Sequence, residues 1–190
     1  MDKDMEQWEN NLGSVFLRKI GITFGQIVLD FGCRAGHYTI PAAKIVENHG
    51  IVYAIDTEEY ALKELNRKAD AHGLKNIRII KTSGQTKLPL EDGTIDIVLL
   101  YDVLHYLGKN SRKRLYQEAS RILKQDGFLS VYPKHTLEDN PLREFSSLSV
   151  SDVKQEIEGS GFAFNRQFCG LISHDNSLSR GCILNFSKHP

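Results

Sequence analysis

Long apolar runs are missing from this sequence. The longest, such as Ile97–Tyr101, have five residues, whereas a membrane-spanning helix needs about 20, so no transmembrane segment and no membrane partner is expected. Charge of one sign is missing too: 24 Lys+Arg stand against 24 Asp+Glu in 190 residues. That balance removes the electrostatic footprint of sequence-independent nucleic-acid binding, and nucleic acid is not an expected partner. Cysteine is scarce. Cys33, Cys169 and Cys182 lie far apart with no C-x-x-C pair, which gives no zinc spacing and fits structural thiols in a reducing compartment. The stretch Met1-Asp2-Lys3-Asp4-Met5-Glu6 is acidic and has no apolar centre, unlike a secretory signal or an Arg-rich transit peptide, so a cytoplasmic location is expected.

What is present is ordinary globular material, 41% hydrophobic and 25% charged, at a length that favours a single domain over 1–190. Trp8, Leu12, Val15, Phe16 and Ile20 recur at helical spacing and Gly21 follows, which predicts an amphipathic leading helix over 6–20. From residue 26 a different rhythm sets in and runs to about 187. Gln26–Asp30 is an apolar run ending in an acid, followed by the glycine-bearing turn 31–36 and a helix over about 37–48. Ile51–Ile55 repeats the pattern and ends on Asp56, before a helix from Glu58 to about His72 with Leu62, Leu65 and Ala69 on one face.

A third strand is expected at Ile77–Lys81 and a central one at Ile95–Leu100. A helix capped by Asn110 or Ser111 follows and ends at Asp126-Gly127, before a strand at Phe128–Tyr132. In that helix Arg112-Lys113-Arg114 reads as a solvated face. After a polar loop to about Ser149 and a short helix to about Glu158, Phe162–Phe168 and Gly181–Phe186 read as two strands, with 169–180 as turn. Phe162, Phe164 and Phe168 share one strand parity and read as sheet core. Strands alternating with helices imply parallel pairing through right-handed crossovers, and the final pair, lacking a crossover helix, implies an antiparallel hairpin. The expected fold is a doubly wound α/β sandwich with a seven-stranded, mostly parallel sheet.

In such sheets ligands bind beyond the carboxyl ends of the strands, where 31–36 lies. A dinucleotide fingerprint starting at Gly32 would need glycine at 34 and 37, where the chain has Arg34 and His37. That speaks against a nicotinamide-dependent oxidoreductase. Val28-Leu29-Asp30-Phe31-Gly32-Cys33-Arg34-Ala35-Gly36 followed by Val52-Tyr53-Ala54-Ile55-Asp56 resembles the first two motifs of the class I S-adenosylmethionine-dependent methyltransferases. Residues 88–98 and 118–129 are similar to that family's approaches to its fourth and fifth strands, so four matches come in chain order over nearly the whole chain.

The resemblance implies a Rossmann-like fold, S-adenosylmethionine as cofactor and a small-molecule methyl acceptor. On the cofactor it places Asp30, Gly32, Cys33, Arg34 and Gly36 from the first turn, and Asp56 and Thr57 from the second. Ser83, Gly84 and Gln85 follow the third strand and Tyr101 the fourth. Asp56, 24 residues beyond Gly32, has two coplanar acceptor oxygens for two ribose hydroxyls, and its other reading is a cap for the helix from Glu58. Asp30 is implied near the cofactor's ammonium group. Two positions depart from the family: Arg34 stands where it usually has glycine, and Thr82-Ser83-Gly84-Gln85-Thr86 lacks its adenine-side acid. On the acceptor side Tyr101, Asp102 and His105 are the candidates, with His135 and His37 behind them. Tyr101-Asp102-Val103-Leu104 does not match the Asn/Asp-Pro-Pro-aromatic turn of the amino-group methyltransferases, and Asn140-Pro141 comes too late to replace it. The alternative reading is a protein of this fold that binds the cofactor without turning it over.

Overall fold

The structure is a computed structural model describing residues 3–139 and 148–189, so Asn140-Pro141 and the middle of the 133–149 loop lie outside the described residues. Seven strands, β1 Ile27–Phe31, β2 Ile51–Asp56, β3 Ile77–Lys81, β4 Ile95–Tyr101, β5 Leu123–Tyr132, β6 Phe162–His174 and β7 Ser177–Lys188, form a sheet in the order β3-β2-β1-β4-β5-β7-β6. β1, β2 and β3 pair in parallel, as do β4 and β5, and β7 runs antiparallel to β5. This is the mostly parallel, Rossmann-like sheet with an antiparallel C-terminal hairpin that the sequence predicts. The helices are α1 Lys3–Gln7, α2 Gly13–Ile20, α3 Thr39–Val46, α4 Glu59–Ala71, α5 Lys109–Ile122 and α6 Val150–Glu158. The described residues gather into two compact units, one within 1–84 and 168–181, the other within 85–167 and 182–190. Among them no helix is long and apolar enough to cross a membrane.

In the first unit β1 is buried along its middle, whereas β3, at the end of the strand order, is only partly covered and alternates. Leu62, Leu65 and Ala69, the predicted inner face of α4, pack with Cys33, Ile40 and Ala54. The leading helix differs from expectation. It begins at Lys3, and a π turn at Trp8–Leu12 separates α1 from α2. One residue inserted into a 3.6-residue turn rotates the following face by about 100°. Trp8 and Glu9 are therefore both buried, Phe16, Leu17 and Ile20 carry the inner face of α2, and Val15 is left 47% exposed.

In the second unit the expected cap of α5 is replaced by Gly108, with no side-chain cap bond. Arg112 is not solvated: it is buried, holds Glu156 of α6 through two bonds of 2.8 and 2.6 Å, and donates to the Leu107 carbonyl. Asp126-Gly127 does not end the helix. α5 stops at Ile122, Leu123 already pairs with Ile95, and the register resumes only at Ile97 with Phe128, so 124–127 bulge within β5. Gly127 passes so near β4 that an added Cβ would lie 2.8 Å from the Asp96 carbonyl oxygen. Phe162 is fully buried as expected, and Phe164 packs edge-on against Phe186, but Phe168 is only half-buried.

The turn expected over 169–180 shrinks to Asp175-Asn176, both left-handed at φ 47° and 63°, the geometry of a tight hairpin turn matched to strand twist. β6 and β7 are correspondingly longer than predicted. Cys169 and Cys182, expected as free thiols, are disulfide-bonded, and Cys33 is the free, buried one.

Gly36 bears most directly on how α4 meets the turn after β1. Its φ is +84°, and an added Cβ would lie 2.3 Å from Cδ1 of the fully buried Leu65. Gly36→Ala is expected to cost about 2 to 4 kcal/mol, the sum of a left-handed penalty and overpacking. Urea denaturation measures it; an unchanged midpoint would mean that the turn and α4 are not in close contact.

Candidate functional site

At the end of β1 the chain leaves the sheet abruptly. The amides of Gly32 and Cys33 both donate to the carbonyl of Ile55, at 2.8 and 3.1 Å, and Gly32 supplies the required positive φ of 77°. The turn then delivers the Arg34 amide to Oδ2 of Asp56 at 2.8 Å, while Oδ1 of Asp56 accepts from Thr57 and Glu58 at 2.7 and 2.9 Å. Asp56 thus joins two strand tips and holds the two residues ahead of α4, but it is not the expected cap: the N-cap residue is Glu58, with no side-chain cap bond. A carboxylate has about four lone-pair directions, so three amides leave one, on Oδ2. Arg34 is left-handed at φ 46°, the conformation for which glycine is the ordinary residue. Its guanidinium is mostly exposed and lies 3.7 Å from Asp175.

Asp30 is buried and accepts from the Thr39 hydroxyl at 2.6 Å. Burial pushes its carboxyl up to about 6 against the pull of that hydrogen bond, and the negative charge of Asp56 pushes the same way. Cys33 is buried beside both acids, and burial first, then their charges, hold its thiol well above the ordinary range, so it is no thiolate nucleophile. Ser83 and Gly84 are exposed, and a Cβ on Gly84 would touch only Thr57, at 3.6 Å, which puts the loop after β3 beside the Asp56 tip. Gln85, also exposed, belongs to the second unit.

The second unit holds Tyr101, Asp102 and His105. The Tyr101 hydroxyl is turned into a buried chain, 2.7 Å from Ser130, which in turn bonds Asn185 at 2.8 Å. Asp102 follows β4 in a left-handed conformation, φ 54°, and Oδ1 lies 3.5 Å from Nδ1 of His105 and 3.4 Å from Nε2 of His135. His135, after β5, is left-handed as well at φ 62°, and the two imidazole rings are 4.2 Å apart. Two non-glycine residues held in this region at neighbouring strand ends store strain of the kind concentrated at working sites. The sequence reading ranked His135 below His105; the structure puts both on the same carboxylate.

The methyltransferase-domain family model matches residues 29–131, more than half of the chain. A solved S-adenosylmethionine-dependent methyltransferase from Aquifex aeolicus superposes with a TM-score of 0.76 at 25% identity, over 95% of this chain and 92% of that one. The chain belongs to the class I S-adenosylmethionine-dependent methyltransferases. Among curated relatives, a probable cobalt-precorrin-6B C(15)-methyltransferase (decarboxylating) of Saccharolobus solfataricus is 38% identical over 42% of this chain and 41% of its own length. A demethylmenaquinone methyltransferase of Geobacillus stearothermophilus is 32% identical over 44% and 36%. The matches thus span about two-fifths of these relatives.

For a methyltransferase the donor set in the first unit is chemically apt. Asp30 is a buried acid short of positive charge, and a cationic ligand beside it would restore its ionised form. Asp56 keeps an acceptor direction open, and the left-handed Gly32 lets the backbone be approached closely. Sequence reasoning passed over Glu9 and Asn176, both of which meet His37. No local signal marks Glu9, because it takes a π turn to bury it. The Asp175-Asn176 pair is the kind of dipeptide that closes a two-residue hairpin, and that signal was available.

Two expectations follow for these methyltransferase residues. Arg34→Gly should stabilise the fold by about 1 kcal/mol, the left-handed penalty less the entropy of a freer unfolded chain, as measured by urea denaturation. For Asp30 the folded-state value lies above the unfolded one, so its contribution to stability is full below about pH 4 and is lost as pH rises through about 6. Asp30→Asn, which keeps an acceptor for Thr39, should gain on the native protein across that interval by up to about 3 kcal/mol. Parallel unfolding curves at pH 4.5 and 7 for both proteins would contradict this.

Proposed function

We propose that the chain transfers the methyl group of S-adenosylmethionine to a small-molecule acceptor. The observation that carries the reading is the pair of acids at the tips of β1 and β2, separated by a left-handed glycine turn whose Arg34 amide Asp56 holds. When bound, the cofactor supplies a methyl group already activated on a sulfonium, open to in-line displacement. The protein's work is then to hold and orient.

Asp56 takes a ribose hydroxyl on its open lone pair, and Asp30 faces the cationic amino-acid end. Gly32, Cys33, Arg34 and Gly36 present backbone to the methionine portion. Thr57, Ser83, Gly84 and Gln85 serve the base side by shape and neutral polar groups in place of an acid, and Tyr101 closes the backbone after β4. Asp102 and His105 handle the acceptor: the imidazole takes the acceptor's proton and the carboxylate orients the ring. Orientation alone can lower the barrier by roughly 7 to 11 kcal/mol, so a weakly basic group suffices. The balanced charge of the sequence supports a small-molecule rather than a nucleic-acid acceptor. A cytoplasmic setting is part of the same proposal, with the disulfide-bonded state of Cys169 and Cys182 standing against it.

Titration calorimetry with S-adenosylmethionine, followed by methyl transfer from labelled cofactor to a panel of small acceptors, tests this reading. Asp56→Ala is expected to weaken cofactor binding by about 2 to 3 kcal/mol, or 30- to 150-fold. It should also lower stability, because three amides lose their acceptor. Unchanged affinity in the folded variant would remove Asp56 from the site.

A further inference from the structure

His37 is the residue that follows the glycine turn, and it is gripped from two sides. Nδ1 lies 3.0 Å from Oε1 of Glu9, and Nε2 lies 3.0 Å from Oδ1 of Asn176. Its carbonyl accepts from Trp8 Nε1 at 2.7 Å. Trp8 and Glu9 come from the π turn of the leading helix, and Asn176 from the two-residue turn between β6 and β7. The neighbouring contacts follow the same pattern: the Tyr38 hydroxyl donates to the Ser173 carbonyl at 2.5 Å, and Arg34 pairs with Asp175. Residues 34, 37 and 38 are thus each held by a residue of the hairpin tip.

These contacts differ in strength. Arg34 and Asp175 are both more than half exposed, and such a pair is worth little. The His37 imidazole is shielded, and its partner Glu9 is buried with Lys68 only 2.6 Å away on the same oxygen. Burial raises the Glu9 carboxyl, but the hydrogen bonds and charges of His37 and Lys68 together hold it below the usual range, so it faces Nδ1 as an anion and that nitrogen is the donor. Nε2 meets an amide, which can donate or accept, so the tip contact survives either protonation state of the ring. Turn chemistry alone would favour glycine at 176, since Asp-Gly and Asn-Gly are the best pairs for this turn. An amide side chain stands there instead and spans 139 positions of sequence to reach His37.

We propose that His37 is a positioning residue for the cofactor site. Its imidazole, bridged between Glu9 of the leading helix and Asn176 of the hairpin tip, fixes the exit of the glycine turn, so that S-adenosylmethionine affinity depends on a remote hairpin. The inference rests on the methyltransferase reading of that turn. Asn176→Gly keeps the left-handed backbone and deletes only the amide contact. It should raise the S-adenosylmethionine Kd measured by calorimetry roughly tenfold, with an unchanged urea midpoint, and speed amide hydrogen exchange over residues 32–38 in the cofactor-free protein. Asn176→Asp, which tolerates positive φ but can only accept, should restore both only at a pH low enough for Nε2 to carry a proton. His37→Asn, whose shorter amide can meet Glu9 but not Asn176, should match Asn176→Gly. Native affinity and native exchange in both Asn176→Gly and His37→Asn would overturn the proposal, as would a loss of affinity that merely tracks a lowered urea midpoint. Native protein that binds no S-adenosylmethionine would overturn the functional reading and this inference with it.

Discussion

One carboxylate sets the geometry of the first unit. Asp56 collects the amides of Thr57 and Glu58 on one oxygen and of Arg34 on the other, so the tip of β2, the start of α4 and the turn after β1 share a single anchor. These amides lie on exposed residues, and a charged acceptor holds all three at once. The turn can be that tight because Gly32 and Cys33 share the Ile55 carbonyl and Gly36 lies where no side chain fits. The proposed ligand site and the fold therefore draw on the same atoms.

Buried charge in this unit comes in two forms. Asp30 has hydrogen bonds from Thr39 and only the more distant charge of His37 in its favour, and burial raises it; Glu9 has a lysine and an imidazole in direct contact, and these outweigh burial. A buried carboxylate with cationic partners in contact is a fixed structural element, whereas one held by neutral groups gains from a cation that arrives. Oε2 of Glu9 nonetheless has no hydrogen-bond partner among the described residues, a cost that the π turn imposes by placing this side chain inside. The same turn carries the contact to His37, so the irregularity in the leading helix also holds the residue that follows the glycine turn.

The second unit uses its charges differently. Arg112 and Glu156 form a shielded bidentate pair joining α5 to α6, a purely structural arrangement. Asp102, His105 and His135 are gathered at the ends of β4 and β5 with two left-handed backbones among them. Tyr101 next to them turns into the Ser130–Asn185 chain. Adjacent positions on one strand end thus part company, Tyr101 holding the sheet together and Asp102 facing the histidines.

Strand positions, the parallel order, the glycine turn and the two acid tips were legible in the sequence, because each rests on local patterns: apolar runs of strand length, glycines at turn spacing, acids at run ends. The ends of α5 and β5 were not, since Asp126-Gly127 signals a stop locally, yet pairing of Leu123 with Ile95 wins by completing the sheet. Nor were the inward turn of Arg112, the burial of Glu9 or the joining of Asn176 to His37. Each depends on a partner tens of residues away, and hydrophobic periodicity carries no information about which polar side chains will meet. Local chemistry determined the elements and the turn; long-range pairing of buried polar groups, enforced by the cost of leaving them unsatisfied, decided what grips that turn.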